Sequence, residues 1–260
     1  MTTTEVSSDL VVTGREDGVL TMTINRPAQR NAISHDVAVQ LAAALDRLDA
    51  DPSLAVGVLT GAGGTFSAGM DLKGFATGQT PMLPGRGFGG LTQAIVRKPL
   101  IAAVEGWALG GGFEMVLSCD VIVAAENANF GFPEVKRGLI AGEGGVFRLP
   151  KRIPYHVAVT ALLTGEPITA VDGKALGLVS VLTAADGALT AAQDLARRIA
   201  LNAPLALALT KEVLRQTQTL DDAEAFKCQA PGIHTLSTSE DAHEGAVAFA
   251  EKRAPVWHGR

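Results

Sequence analysis

Cysteine is close to absent from this chain: Cys119 and Cys228 are the only two in 260 residues, and no CxxC spacing joins them. They read as reduced, structural thiols, so the expected compartment is cytoplasmic. Histidine is sparse as well. His35, His156, His234, His243 and His258 are scattered, with no HExxH and no Cys/His ligand spacing, so neither a metal site nor a histidine-based triad is expected. A GxSxG nucleophile turn is missing, and Ser67 in Thr65-Phe66-Ser67-Ala68-Gly69 is only a near match. No apolar run reaches the ~18 residues of a membrane span. Residues 1–10 are polar and lack the basic-then-apolar pattern of a secretory leader. No Lys/Arg run occurs either. The 22 basic and 27 acidic residues leave a net charge of −5, which argues against a nucleic-acid partner. A phosphorylated small molecule stays compatible, because a few cations and backbone N–H groups can hold it.

Charged residues make up 19% and hydrophobic residues 47%, the balance of a globular chain long enough to bury a sizeable core. Glycine is plentiful, at 29 residues. One GxGxxG match, residues 85–90, follows Pro81 and Pro84 and so lacks the preceding strand of a dinucleotide fingerprint. Gly173-Lys174-Ala175 lacks the Ser/Thr and the upstream glycine of a P-loop. The informative cluster lies elsewhere. An apolar run at 100–104 leads through Trp107-Ala108-Leu109 to Gly110-Gly111-Gly112, Phe113 and Glu114, the last in the first turn of an expected helix. Three adjacent glycines weaken regular structure, but they suit unusual torsions or close approach to a ligand. Free N–H groups at a helix N-terminus also favour negative charge. A tight strand-to-helix turn would use the same glycines. Twenty residues on, Phe132-Pro133-Glu134 and Gly142-Glu143-Gly144-Gly145 supply a second carboxylate and more glycine. Anion-binding backbone beside two carboxylates is an enzyme-like constellation.

The pattern predicts strands at 10–12 and 19–24 separated by turn residues 14–18, then a helix at 35–49 capped by Ser34. Strands follow at 55–60, 100–104 and 121–125. A short helix is expected at 71–75, a mobile surface loop at 78–90, and a helix at 91–96. From 154 onward helices dominate, at 155–163, 170–176, 190–201, 204–216, 221–230 and 239–250, with one strand at 178–182. The reading divides the chain into an α/β part, 1–200, and a helical part, 201–260. Apolar helical faces of that kind are often buried against another subunit.

Longer motifs then resemble the enoyl-CoA hydratase (crotonase) family. They are Phe66-Ser67-Ala68-Gly69-Met70-Asp71-Leu72, the run 101–114, Phe130-Gly131-Phe132-Pro133-Glu134 and Arg148-Leu149-Pro150. The resemblance runs from Asn25-Arg26-Pro27 to Glu251-Lys252-Arg253. It implies a ClpP/crotonase-like spiral of ββα units (1–200) and a C-terminal helical region (201–260) that builds trimers or dimers of trimers. It also implies an acyl-CoA thioester as substrate and no separate cofactor, coenzyme A being part of that substrate.

Matched position by position, the backbone N–H groups of Met70 and Gly111 would form an oxyanion hole for the thioester oxygen. Glu114 and Glu134 would be the acid/base pair, with Glu114 deprotonating water for Cβ and Glu134 exchanging the proton at Cα. Gly142 would hold the water. Ala68, Gly69, Asp71 and Leu72 would line the CoA path, with Arg26 and Ala28 near the adenine. Trp107, Gly110 and Pro133 complete the substrate-binding set. Lys252 would reach CoA phosphates, or would simply be a solvated helix charge.

The implied reaction is hydration of a 2-enoyl-CoA; isomerisation or acyl-CoA binding without turnover are the alternatives. Within the family, residues 87–92, 145–151, 240–245 and 255–257 are most similar to carnitinyl-CoA dehydratase. For a trimethylammonium acyl group, Trp107, Phe88 and Glu143 are candidate contacts. Glu143 departs from the usual pattern by adding a third acid beside Gly142, where it would tune the pair or contact a polar acyl group; a plain surface-loop role is equally open to it.

Overall fold

The computed structural model describes residues 9–76 and 78–260; most of the polar N-terminal segment considered above, residues 1–8, lies outside them. The described chain opens with a hairpin of β1 (Val11–Glu16) and β2 (Val19–Ile24), paired antiparallel. Asp17 and Gly18, with φ of +47° and +75°, make its two-residue turn. Both central residues of such a turn need positive φ, which suits the Asp-Gly pair. The turn is therefore shorter than the expected 14–18, and Gly14 sits inside β1 opposite Thr21.

Helix α1 (His35–Ala50) follows, with the Ser34 hydroxyl accepting the Val37 N–H at 3.3 Å. Next come β3 (Val56–Gly61), α2 (Leu72–Ala76), β4 (Met82–Leu83), β5 (Gly87–Phe88), β6 (Leu100–Val104), β7 (Trp107–Leu109), α3 (Gly111–Ser118), β8 (Val121–Ala125) and β9 (Asn129–Gly131). A 3-10 turn (Pro133–Arg137) leads to α4 (Gly145–Arg148), α5 (Tyr155–Thr164), β10 (Ile168–Thr169), α6 (Ala170–Ala175) and β11 (Val181–Thr183). Four helices close the chain: α7 (Ala188–Ala200), α8 (Pro204–Thr217), α9 (Asp222–Ser237) and α10 (Glu240–Glu251).

The main sheet runs β1-β2-β3-β6-β8-β11, parallel beyond the first pair. A second sheet runs β10-β9-β7. The successive pairs β6–β7 and β8–β9 each place one strand in each sheet, which is the repeating unit of the crotonase spiral. The α/β architecture with its helical C-terminal region is the one the resemblance implied.

The apolar strands of the main sheet are continuous because both faces are buried. On β6, Leu100, Ala102 and Val104 join the core under α1, while Ile101 and Ala103 join the core under α7. Helix α1 meets the first core through Val37, Leu41, Leu45 and Leu48; α7 meets the second through Ala188, Ala192 and Ala196, four residues apart. Gly57 is glycine because a Cβ there would stand 2.6 Å from Leu48 Cδ2 and 2.8 Å from Leu100 Cδ1. Gly57→Ala is expected to cost ~1–3 kcal/mol by overpacking, read as a lower urea midpoint without loss of cooperativity.

Several expectations are corrected. The segment 78–90 is a surface loop only in part: residues 78–80, 84 and 85 are exposed, but 82–88 form the β4–β5 hairpin and residues 87–92 are buried. No helix forms at 91–96, where turns hold the backbone and Thr92 bonds outside its own segment. Strands β7, β9 and β10 were not anticipated. At two or three residues each, they are set by pairing with neighbours and not by any period of their own. The strand expected at 178–182 forms at Val181–Thr183. Helix α9 continues through Pro231 to Ser237, past the expected end at 230. Proline forfeits one helical bond, which packing of α9 on α8, with Gly232 against Leu209, offsets.

At the C-terminus, buried Asp241 accepts the His258 N–H at 2.6 Å and the Gly259 N–H at 3.0 Å. The Trp257 indole donates to the Leu201 carbonyl at 2.8 Å, and Arg253 holds both Glu244 oxygens at 2.6 and 2.9 Å. The 240–245 and 255–257 stretches are thus two halves of one tail clamp.

Candidate active site

Two backbone segments approach one another between the sheets. Ser67 donates its N–H to the Trp107 carbonyl and accepts from the Leu109 N–H, both at 2.9 Å, which lays residues 66–68 beside β7. On the other side, Ile33 donates to the Gly69 carbonyl at 2.8 Å and accepts from the Asp71 N–H at 3.0 Å. This parallel bridge skips the Met70 N–H, which has no acceptor among the described residues. The Gly111 N–H has none either, being the first of α3, where helical bonding has not begun. A Cβ on Gly69 (φ +89°) would stand 2.7 Å from the Leu109 carbonyl oxygen and 3.4 Å from the Gly111 nitrogen. Glycine at 69 therefore lets the segments bearing the two unpaired N–H groups come together.

Gly110 precedes α3 with φ +54° and ψ −129°, a torsion L side chains avoid. This turn buries Glu114, which is 3% exposed. Its Oε1 accepts N–H groups from Glu143 at 2.7 Å and Gly145 at 2.9 Å; its Oε2 has no protein donor among the described residues. Burial pushes the Glu114 carboxyl up to about 7. The Gly145 and Glu143 N–H groups pull the other way, and the charges of Glu134 and Glu143 add to the rise. Glu134, in the first 3-10 turn after Pro133, reaches the same place: its Oε1 lies 3.0 Å from where a Gly110 Cβ would stand. Its Oε2 is buried without a partner among the described residues. Burial raises this carboxyl too, against its own backbone N–H and Arg137. Two coupled acids beside two unpaired backbone donors can move protons at an acyl group while holding its oxygen.

The remaining expected residues spread around this centre. Gly142 is exposed and open, with only the Ile140 carbonyl oxygen, at 3.9 Å, near its would-be Cβ. Ala68 is half-buried, Leu72 and Ala28 are exposed, and Trp107 is 44% exposed on β7. Arg26 and Asp71 pair with each other at 2.9 Å. Arg26 also donates to the Ala32 carbonyl at 2.6 Å. Burial pushes the Asp71 carboxyl up, but Arg26 and the Gly74 and Lys73 N–H groups outweigh it and hold it below the usual range. Lys252 is exposed and ends α10 in a left-handed conformation, φ +55°.

Of the three candidate contacts for a cationic acyl group, Trp107 is exposed, while Phe88 and Glu143 are employed structurally. Phe88 is buried, and Glu143 accepts from the Phe88 N–H, the Thr92 hydroxyl and the Gln93 amide. Sequence reasoning missed Thr92 and the role of Arg148, whose guanidinium donates to the carbonyls of Thr92 and Glu143 and to the Ser118 hydroxyl. Arg148 stood in a quoted motif, but nothing in that motif pointed to these partners. Among the described residues, no cluster of three or more His, Cys, Asp or Glu could hold a metal ion, and no helix is long and apolar enough to cross a membrane.

A spiral of this kind, with two buried carboxylates and unpaired backbone N–H groups between its strands, has the architecture of a crotonase-type protein. The family model for enoyl-CoA hydratase/isomerase matches residues 14–260. A carnitinyl-CoA dehydratase of Proteus mirabilis (strain HI4320) is 40% identical, over 98% of this chain and all of that protein. The crystal structure of enoyl-CoA hydratase from Mycobacterium tuberculosis H37Rv superposes with a TM-score of 0.94 at 48% identity, covering 96% of this chain and 99% of the other. That of carnitinyl-CoA hydratase from Mycobacterium avium gives 0.77 at 44% identity, covering 96% and 99%. The chain belongs to the enoyl-CoA hydratase/isomerase family.

Proposed function

We propose that this protein is a hydro-lyase that reversibly adds water across the 2,3 double bond of a 2-enoyl-CoA thioester. The observation that carries the reading is the juxtaposition of the unpaired Met70 and Gly111 N–H groups with the buried Glu114–Glu134 pair. The thioester oxygen sits between the two donors, which stabilise the charge it gains as the acyl group becomes enolate-like. Glu114, anchored through Oε1, presents Oε2 to water and takes its proton as oxygen attacks Cβ. Glu134 delivers a proton to Cα. Both acids suit their parts because each is raised toward neutrality, where a group can accept and release protons readily. Gly142, in the open loop beside them, offers its N–H to the water. Coenzyme A belongs to the substrate, and the reaction requires no further cofactor. Ala68, Gly69, Leu72, Trp107, Gly110 and Pro133 line its approach, with the Arg26–Asp71 pair and Ala28 toward the nucleotide end.

The value of kcat/KM is expected to fall below about pH 7 as Glu114 takes up a proton. In Glu134→Gln the proton donor at Cα is lost, so the residual activity should keep that acid limb but lose any fall at high pH that reports ionisation of Glu134. An alkaline fall that persists unchanged in Glu134→Gln would show that Glu134 is not the donor.

The relative named carnitinyl-CoA dehydratase supports a second substrate, crotonobetainyl-CoA, for the same chemistry. The purified protein is to be assayed with both thioesters, following loss of the conjugated absorbance. Turnover of crotonyl-CoA supports the general reading, turnover of crotonobetainyl-CoA alone supports the second, and inertness toward both overturns hydration of short-chain substrates. We also assign residues 201–260 to a homo-oligomeric contact, a trimer or dimer of trimers. Leu214, Phe226 and Ile233 on α8 and α9 and Phe249 on α10 are exposed, and neither α8 nor α9 has a fully buried residue. A cytoplasmic setting fits the unpaired Cys119 and Cys228.

A further inference from the structure

One residue touches both halves of the site without standing in either. The Glu143 backbone N–H donates to Glu114 Oε1 at 2.7 Å. Its side chain turns the other way: Oε2 accepts from the Thr92 hydroxyl at 2.7 Å, the Gln93 amide at 3.0 Å and the Phe88 N–H at 3.1 Å. Gly87 has no side chain because a Cβ there would stand 2.6 Å from Glu143 Oε2 and 2.7 Å from Gln93 Cγ. The segment so held carries Phe88, whose ring edge occupies the space a side chain on Gly111 would need. A Cβ at 111 would lie 2.5 Å from Phe88 Cε1 and 2.8 Å from Cε2. Arg148 braces the same junction, donating to the Thr92 carbonyl at 2.5 Å and the Glu143 carbonyl at 3.0 Å.

We infer that Glu143 is a positioning residue that sets the acid/base pair and the oxyanion-hole backbone in register. Its main chain fixes Glu114, and its carboxylate fixes the Phe88 segment that backs Gly111. The inference rests on the hydro-lyase reading above. The Phe88 N–H also donates to the Thr92 hydroxyl at 2.8 Å, so without the carboxylate Thr92 loses its acceptor, the Phe88 N–H keeps only Thr92, and the ring is held less firmly against Gly111. The charged groups interacting with Glu114 are Glu134, Glu143 and Arg148, so removing the Glu143 charge also changes the field on the acid pair.

The test compares Glu143→Ala, Glu143→Gln and Thr92→Val with the wild type in two assays. One measures kcat, KM and the pH profile with crotonyl-CoA. The other follows the near-ultraviolet absorbance of the acetoacetyl-CoA enolate, which reports backbone donors on a thioester oxygen without turnover. Glu143→Ala is expected to lower kcat by ~10- to 100-fold, since ångström-scale misplacement costs up to ~10²-fold, with KM little changed and the enolate signal weakened. Thr92→Val should move both readouts in the same direction by less. Glu143→Gln keeps an acceptor oxygen and should restore most of kcat, while its acid limb moves to lower pH.

A folded Glu143→Ala with wild-type kcat and enolate absorbance would overturn the inference. If Glu143→Ala does not fold, an unmoved limb in Glu143→Gln together with a wild-type enolate signal in Thr92→Val does the same. A wild type that shows the enolate signal but no hydration sinks the hydro-lyase reading and leaves the positioning role to be decided by the enolate arm.

Discussion

Glu114→Gln is expected to lose ~10²–10⁴-fold in kcat for hydration, the usual cost of removing a general acid or base, and to gain stability above neutral pH. The two effects have one cause. Glu114 is buried to 3% exposure, and its carboxyl rises from 4.5 to about 7 because ionising it there is costly. A carboxyl whose folded pKa is raised favours the folded chain below its unfolded value, near 4.5. That contribution is lost as pH rises through about 7. Glutamine stays neutral throughout, and its amide oxygen can still accept the Glu143 and Gly145 N–H groups. The shift corresponds to a difference on the order of 3 kcal/mol between wild type and variant above pH 7, with little difference near pH 4. Thermal midpoints at pH 5 and pH 8 check it: the variant should gain on the wild type at pH 8 and much less at pH 5. Equal midpoints at both would mean that Glu114 ionises without penalty, and a variant retaining full kcat would remove it from the chemistry.

Gly111→Ala carries the other large effect. Its Cβ would lie 2.5 Å from Phe88 Cε1 and 2.8 Å from Cε2, too close to coexist. Phe88 is 2% exposed and tied through its N–H, so part of the displacement falls on the start of α3. On the proposed oxyanion-hole role, the Gly111 N–H then leaves its place, and loss of such a donor costs ~10²–10³-fold in kcat. The double variant Gly111→Ala with Phe88→Leu relieves the collision and should recover part of the rate, the non-additivity expected of residues in contact. Steady-state kinetics of both variants and of Phe88→Leu alone give the coupling. Simple additivity would show that the ring does not mediate the loss.

These residues were unequally legible in the sequence. The main-sheet strands stood out because burial on both faces makes them continuous apolar runs, as at Leu100–Val104. Gly110-Gly111-Gly112 marked either a tight strand-to-helix turn or a backbone site, and only the neighbouring carboxylates and the resemblance favoured the site. Glu114 and Glu134 were both visible as carboxylates near glycine clusters, and their acid/base roles came only from the resemblance. Long-range pairing was not legible. Glu143 meets Thr92 and Phe88 from 51 and 55 positions away, and Arg26 meets Asp71 across 45. No local period encodes such partners, so residues 78–90 looked like a loop although a carboxylate far along the chain buries their end. The tail clamp is similar: its halves were noticed as resemblance, and only the fold shows that Asp241 and Trp257 hold the last residues in place.

The most direct test of the central claim, that this acid pair adds water to an enoyl thioester held by the Met70 and Gly111 N–H groups, is the mass of the product after turnover of crotonyl-CoA in deuterium oxide. The account predicts a 3-hydroxyacyl-CoA with one carbon-bound deuterium, located at Cα, and its near-disappearance in Glu114→Gln and Glu134→Gln. Deuterium entering the acyl chain without addition of water would contradict it and make the protein an isomerase on the same scaffold.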